Sequence, residues 1–205
     1  MKWNEFYTTK FNFRTFLKII SGHIYLFYII LKFRAKKILE VGCGTSSMSI
    51  FLSFFVKDVV ALDKDPQLIK QGMNFSKKFR RKNIKFICGD VFDLPLKFKD
   101  NYFDVVFSQG LLEHFSNEDI RKLVYKQIRV AKYVIFSVPN EYYPKKDFGN
   151  ERLMNKDKWE SIVAEHYLVL SKYYGRNWRK LFLNKPIHYL CVISSFISLK
   201  KNRIE

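Results

Sequence analysis

The sequence predicts an α/β fold: a doubly wound, mostly parallel β-sheet with helices on both faces and an antiparallel pair of strands at its C-terminal edge. From Lys36 onward, short β-rich runs alternate with helical segments, which is typical of a covered parallel sheet. The last two β-rich runs have no obvious crossover helix between them, which favours antiparallel pairing. With 205 residues, 48% of them hydrophobic, the chain can bury one core but is short for two complete domains.

The individual elements follow from the same pattern. Pro66 suits the opening turn of a helix, and Ser116 offers a helix cap. Pro139 ends the fifth strand, and the polar stretch after it, residues 140–155, has the composition of a long loop, which usually serves a function. The predicted strands are 38–41, 59–62, 84–88, 103–108, 133–138, 167–174 and 187–196. The predicted helices are 46–55, 66–80, one that begins near residue 116, and 156–166.

The N-terminal segment, residues 1–35, is predicted to be a helical cap on a domain of residues 36–205. Residues 24–31 are eight consecutive apolar residues, too few to span a bilayer. Two interpretations stay open: a helix packed against the domain, or a helix with basic flanks that lies on a membrane surface through residues 16–33. We also expect residues 1–35 and the loop 140–155 to close over the functional site, with Trp3, Phe6, Tyr7, Tyr142 and Tyr143 as aromatic candidates.

The chain is strongly basic, with 37 Lys and Arg against 19 Asp and Glu and a formal charge of +18. This charge would attract phosphates, anionic lipids or acidic substrates, but its sign alone does not choose among them. A lysine-rich solvated surface is the plainer interpretation, and RNA binding is the alternative. Cys43, Cys88 and Cys191 lack metal-ligand spacing, so we expect no metal, and the absence of a signal-peptide pattern predicts a cytoplasmic protein.

A glycine turn after the first strand is the most informative motif. Residues 38–46 read Ile-Leu-Glu-Val-Gly-Cys-Gly-Thr-Ser, a strand that enters a turn and then a helix. Gly42 and Gly44 allow a tight turn and let a ligand approach the backbone, and the helix that follows presents free amides. The dinucleotide fingerprint would need glycine at Ser47, and the P-loop would need Gly-Lys-Ser/Thr. Both of those cofactor classes are disfavoured.

Here the sequence resembles the class I methyltransferases that depend on S-adenosylmethionine (SAM), in their small-molecule branch. That family places an acid before Gly-x-Gly, matched by Glu40, Gly42 and Gly44, and often has a third glycine where this chain has Ser46. A strand that ends in Asp63 follows, then Gly89-Asp90-Val91 after the third strand, and Gln109-Gly110-Leu111-Leu112-Glu113-His114 after the fourth. Four matches in this order imply a Rossmann-like, seven-strand methyltransferase fold.

The resemblance also implies the roles of single residues. Asp63 would accept hydrogen bonds from the ribose hydroxyls, as an acid does in analogous nucleotide sites. Asp90 would receive the adenine amino group, and the amide of Val91 would meet the ring. The remaining predicted cofactor residues are Glu40, Gly42, Cys43, Gly44, Lys64 and Gln109.

His114 is the candidate catalytic base, because it follows the fourth strand and its ordinary pKa suits proton transfer near neutrality. A histidine that packs or caps the next helix is the alternative. The chain lacks the Asn/Asp-Pro-Pro-aromatic motif of amino-methylating relatives and has no thiol after strand four or five. The predicted acceptor is therefore a small molecule or a lipid-linked compound, and RNA modification is the alternative that the charge supports.

Overall fold

A computed structural model describes residues 13–144, 149–176 and 185–195. Within this part of the chain, seven strands form one sheet in the order β3-β2-β1-β4-β5-β7-β6. The strands are β1 (Lys37–Val41), β2 (Asp58–Asp63), β3 (Ile84–Cys88), β4 (Phe103–Gln109), β5 (Ala131–Pro139), β6 (Tyr167–Arg176) and β7 (Pro186–Ser194). The helices are α1 (Phe13–Gly22), α2 (Ile24–Lys32), α3 (Ser47–Leu52), α4 (Pro66–Lys78), α5 (Leu94–Lys97), α6 (Asn117–Val130) and α7 (Lys156–Ile162).

The sheet has the predicted topology. Strands β1 to β5 are parallel, and β7 pairs antiparallel with both β5 and β6. The chain runs outward from β1 to β3 and then returns to place β4 on the other side of β1. This reversal of strand order opens a crevice at the carboxyl ends of β1 and β4, where doubly wound sheets bind their ligands.

Alternate residues of each central strand face opposite layers of helices. Leu39 of β1 belongs to the cluster covered by α6 and α7, whereas its neighbour Ile38 belongs to the cluster covered by α2 and α3. Both residues are fully buried. A strand buried on both faces is apolar at most positions, which explains the nearly continuous apolar runs of the sequence.

The N-terminal helices form part of the layer on one face. Leu26, Phe27, Ile29 and Ile30 of α2 are buried in the same cluster as Ile38 of β1. The packed-helix interpretation of residues 24–31 is therefore the one that the structure supports, although the division of the chain at residue 35 stays a prediction. In the described part of the chain, no single helix is long and apolar enough to cross a membrane. Helices α1 and α2 meet that test only as a pair, bent by 66°.

Several helix boundaries differ from the predicted ones. Helix α3 ends at Leu52 rather than at residue 55. Just after this end, Arg81 and Asn83 donate hydrogen bonds to the carbonyl of Ser53. Helix α4 ends at Lys78, two residues early, because Arg80 takes a left-handed conformation with φ 52°. Helix α7 ends at Ile162 instead of residue 166. Long-range contacts that the local sequence does not encode set the first of these ends.

Candidate active site

A pocket of about 250 Å³ lies at the carboxyl ends of β1 to β4. This volume is near the lower end of small-molecule sites. Glycines supply much of its wall, so that a ligand meets backbone atoms directly. Its lining residues are Gly42, Gly44, Leu62, Asp63, Lys64, Leu68, Gly89, Asp90, Val91, Phe92, Gly110, Leu111, His114, Phe115 and Asn150.

The turn after β1 is held in a conformation that requires small residues. Gly42 has φ 66°, and a Cβ at this position would lie 2.8 Å from Leu111 Cδ1. Ser46, where the family often has glycine, is also left-handed, with φ 58°. A serine in this conformation costs about 1–2 kcal/mol relative to glycine. The departure from the family pattern therefore strains the turn without blocking the pocket.

Asp63 stands at the end of β2 with its carboxylate in the pocket wall. Its Oδ2 accepts the N–H of Gly44 at 2.9 Å, and its Oδ1 accepts the N–H of Asp65 at 3.0 Å. Each carboxylate oxygen can accept a second hydrogen bond, so the group can still receive ribose hydroxyls. Asp65, not Asp63, caps α4 by accepting the N–H groups of Gln67 and Leu68. Burial raises the pKa of Asp63, and the two backbone N–H donors oppose that rise.

Asp90 and Val91 form the neighbouring wall after β3. Asp90 Oδ1 accepts the N–H of Phe92 at 2.8 Å, which caps a short 3₁₀ turn, Val91–Asp93. Leu68, Val91 and Phe92 give this end of the pocket apolar surfaces, and Asp90 adds an acceptor. A nucleoside presents a flat ring and hydroxyl donors, so these residues and Asp63 fit the adenosine of SAM.

His114 lines the pocket from the turn after β4. Its Nδ1 lies 2.9 Å from Asn150 Oδ1, and its side chain is mostly buried. Desolvation lowers the pKa of His114, which favours the neutral imidazole near neutral pH. With Nδ1–H donated to Asn150, the lone pair of the ring is on Nε2. The structure thus places the predicted base beside the predicted cofactor residues.

Glu113 is the buried acid of the same turn. Its Oε1 lies 3.9 Å from His114 Nε2, and its Oε2 has no hydrogen-bond partner in the described part of the chain. Burial raises the pKa of Glu113 to about 8, and the nearby charge of Glu151 adds to this rise. The structure thus brings the carboxyl of Glu113 next to the histidine, although Glu113 is not among the residues that line the pocket.

Residues 149–155 bring the long loop to the site. Asn150 lines the pocket, and Arg152 fixes the loop by donating to the Phe115 carbonyl at 2.6 Å and to Asn117 Oδ1. The backbone N–H of Arg152 also donates to the Glu113 carbonyl at 3.0 Å. Arg152 is therefore an anchor of the loop. The sequence predicted the loop's involvement but missed Asn150, because nothing local distinguishes it.

Three predicted cofactor residues are not among those that line the pocket. Glu40 is buried, and its Oε2 accepts both the N–H and the hydroxyl of Ser49, at 2.9 and 2.5 Å. This bond satisfies an amide in the first turn of α3, which Ser46 does not cap. Cys43 is buried against Ser46, and Gln109 ends β4. Direct contact of these three with a cofactor stays a prediction; Glu40 has a structural role here.

The expectation that the N-terminal segment closes over the site is wrong for its described part. No residue of 13–35 lines the pocket, because these helices cover a face of the sheet and not its carboxyl edge. Trp3, Phe6 and Tyr7 lie outside the described residues. Tyr142 packs near Tyr173, and Tyr143 near His188, so neither of these loop tyrosines lines the pocket.

Comparison with known proteins agrees with this geometry. A family model described as a methyltransferase domain matches residues 38–133, which span β1 to the start of β5. The matched region is 96 of the 205 residues, and over this region the chain is similar to methyltransferase domains. The match covers the strands that carry Gly42, Asp63, Asp90 and His114.

Proteins similar to this chain include phosphoethanolamine N-methyltransferase 1 of Triticum aestivum, 33% identical over 104 residues. That match covers 51% of this chain and 21% of the wheat protein, so the chain spans about a fifth of that relative's length. Among solved structures, the PH0226 protein of Pyrococcus horikoshii has a TM-score of 0.69 at 20% identity, covering 91% of this chain and 92% of that one. Magnesium protoporphyrin IX methyltransferase of Synechocystis, solved with bound SAH, has a TM-score of 0.65 at 13% identity, covering 94% and 93%. These structures share the fold.

Proposed function

We propose that this protein is a methyltransferase that binds SAM in the pocket at the carboxyl ends of β1 to β4 and methylates a small-molecule acceptor beside His114. The observation that carries the proposal is that Asp63, Asp90 and His114 line one pocket. The wheat relative and the Synechocystis neighbour are both named for small-molecule acceptors, phosphoethanolamine and magnesium protoporphyrin IX, which supports the acceptor class.

The cofactor-side residues bind the nucleoside and leave the methyl group to be placed by the acceptor. SAM supplies a methyl group that is already activated, so the protein's main task is to hold the acceptor in line with it. Asp63 receives the ribose hydroxyls, and Asp90 with Val91 receives the adenine. Because Gly42, Gly44 and Gly110 have no side chains, the ligand can lie against the backbone of the strand ends.

His114 would act as the general base. The acceptor's heteroatom forms the new bond to the methyl carbon, the bond from that carbon to sulfur breaks, and its electron pair stays on sulfur. The acceptor's proton passes to the neutral imidazole and then to solvent. Asn150 orients the ring through Nδ1, which leaves Nε2 as the proton-accepting nitrogen. A base in this position contributes about 10²–10⁴-fold to the rate.

The buried acid Glu113 would set the charge at the acceptor end. Because its pKa is raised to about 8, it can hold a proton near neutral pH and does not oppose an anionic acceptor. Phe115 adds apolar surface, and its ring centroid lies 5.9 Å from that of Phe92 at the adenosine end. Together with the anchored loop, these groups favour a compact acceptor.

The test is a transfer assay with SAM labelled in its methyl group and an extract as the source of acceptors. The label is then sorted into small-molecule, lipid, nucleic-acid and protein fractions. We expect it in the small-molecule fraction, with loss in the His114→Asn variant and retention in His166→Asn, a histidine outside the pocket. Label in nucleic acid would contradict the proposal and support the RNA alternative, and label in lipid would support a lipid-linked acceptor.

A further inference from the structure

An exposed apolar surface lies at the amino edge of the sheet, away from the pocket. Phe79 connects it: its ring centroid is 6.3 Å from that of Phe13 in α1 and 6.1 Å from that of Phe54 after α3. Leu17 lies one helical turn from Phe13, and Phe55 follows Phe54. Phe13, Leu17 and Phe55 are 57%, 51% and 61% exposed. We call Phe13, Leu17, Phe54, Phe55 and Phe79 the amino-edge patch.

The segments that carry the amino-edge patch are uniformly basic. Residues 13–22, 53–57 and 77–83 contain no Asp or Glu. Arg81 lies over the ring of Phe54, with its guanidinium carbon 4.5 Å from the centroid. The exposed cations on these segments are Arg14, Lys18, Lys57, Lys77, Lys78, Arg80 and Lys82. The nearest acid in sequence is Asp58, at the start of β2.

We propose that the amino-edge patch docks this protein on an anionic lipid bilayer. Surfaces that lie in a membrane interface combine protruding apolar side chains with a rim of Lys and Arg, and each basic residue near an anionic leaflet adds attraction. A nucleic acid would use the cations and can stack unpaired bases on exposed phenylalanine rings, but it gains little from an exposed leucine, which a bilayer interface would bury. The patch supplies both components.

The location of the patch determines how the docked protein is oriented. Residues 53–57 precede β2 and residues 79–83 precede β3, whereas the pocket lies after the carboxyl ends of these strands. A strand of five or six residues separates the two edges by about 17–20 Å. Docking through the patch therefore leaves the pocket open to water, which agrees with a soluble acceptor rather than one inserted in the bilayer.

Vesicle flotation of the full chain tests the docking. The vesicles are phosphatidylcholine alone or an equal mixture of phosphatidylcholine and phosphatidylserine. We expect flotation with the mixture and much less with phosphatidylcholine alone. Arg14→Gln with Lys18→Gln should weaken binding to the mixture roughly 30-fold, from about fivefold per cation. Leu17→Ser with Phe55→Ser should weaken it about tenfold or more, because half-exposed apolar side chains lose their burial in the interface.

Matched controls change the same residue types elsewhere. Arg121→Gln with Lys158→Gln removes two exposed cations, and Leu96→Ser removes an exposed leucine outside the patch. Flotation of these controls should match the parent. Equal loss in patch and control variants would overturn the proposal, since net charge alone would then explain binding.

Two further readouts separate the alternatives. If the Leu17 and Phe55 substitutions leave flotation unchanged while Arg14 and Lys18 are needed to bind a single-stranded polyuridylate probe, the patch is a nucleic-acid surface and the proposal fails. SAM affinity should be unchanged within about twofold when the mixed vesicles are present, and its loss would overturn the orientation. Flotation needs neither cofactor nor turnover, so its failure leaves the proposed methyl transfer untouched.

Discussion

The pocket edge and the junction between the N-terminal helices and the C-terminal strands both contain hydrogen-bonded polar side chains, but Asp90 at the pocket edge is exposed, whereas His23 and His188 at the junction are buried. At the pocket edge, local bonds accompany distant ones: Asp63 accepts from Asp65 and Asp90 from Phe92, each two positions away, and Asp63 also accepts from Gly44, 19 positions away. At the junction, His23 lies 2.9 Å from the hydroxyl of Tyr174, 151 positions away. Hydrogen bonds between residues that are close in sequence can be predicted from local residue patterns, whereas those between residues far apart in sequence cannot.

The junction is a cluster of neutral polar side chains between α1, α2 and the strands β5 to β7. Tyr174 also contacts Ser137, with their hydroxyl oxygens 2.6 Å apart, and the rings of His23 and His188 lie 4.9 Å apart. Burial lowers the pKa of His23 to about 4 and that of His188 to about 3. Both histidines are therefore neutral in the folded protein at ordinary pH, unlike the pocket, whose polar groups include carboxylates.

The largest effect on stability is expected from the buried side chains of α2, and measuring it would sharpen this comparison. Leu26→Ala and Ile30→Ala each remove a fully buried side chain and should cost about 2–5 kcal/mol of the free energy of unfolding. Chemical denaturation measures the change. Tyr28→Ala, on the exposed face of the same helix, is the control and should change little. Small losses for Leu26 and Ile30 would instead mean that α2 adds little to the domain core.

The next effect concerns His114 and is a change in rate. His114→Asn should lower methyl transfer about 10²–10⁴-fold while SAM affinity is retained. In the parent, the rate should rise as pH increases through a pKa below 6.5, because burial lowers the pKa and only the neutral ring accepts a proton. A pH series measures both proteins, with His166→Asn as control. If the mutant keeps the same rise, His114 is a packing residue.

A smaller effect on stability tests the strained turn after β1, which contains Ser46. A Cβ on Gly72 of α4 would lie 2.5 Å from Ser46 Oγ, so Gly72→Ala should destabilise by about 1–3 kcal/mol although alanine favours helices. Ser46→Gly removes both that hydroxyl and the left-handed serine, and should stabilise by about 1 kcal/mol. In the double variant, the cost of Gly72→Ala should shrink. Strict additivity in this double-mutant cycle would show that the two residues do not touch.

A further effect on stability is its pH dependence at the junction. His23 and His188 have pKa values below 6.5 in the folded protein. As pH decreases, the unfolded chain therefore takes up protons at a higher pH than the folded protein does. The contribution of these histidines to the free energy of unfolding is then fully present above pH 6.5. It falls as pH decreases toward about 4, by at most about 1.4 kcal/mol per pH unit for each histidine. Denaturation at pH 7 and pH 5 measures this. His23→Gln should flatten the profile, and an equal slope in parent and variant would place the titration elsewhere.

The sequence predicted what depends on short-range pattern. The parallel strands, the antiparallel edge pair and the cap at Ser116 follow from runs and motifs within a few residues, and the resemblance to the methyltransferase family implied that Asp63, Asp90 and His114 share one site. It did not predict that Glu40 bonds Ser49, that Asn150 reaches His114, or that His23 meets Tyr174. Those contacts depend on how whole elements pack, and the residues around each of them carry no local pattern.

The most direct test of the account is SAM affinity measured by calorimetry on the parent, Asp63→Asn and Asp58→Asn. Asp58 is an exposed acid at the opposite end of the same strand, so it controls for the loss of charge. Asp63→Asn should weaken SAM binding by about 1.5–3 kcal/mol, roughly 10- to 150-fold, as expected for a hydrogen bond to a charged group. Asp58→Asn should bind as the parent does. Equal affinity in all three folded proteins would contradict the assignment of this pocket to the cofactor.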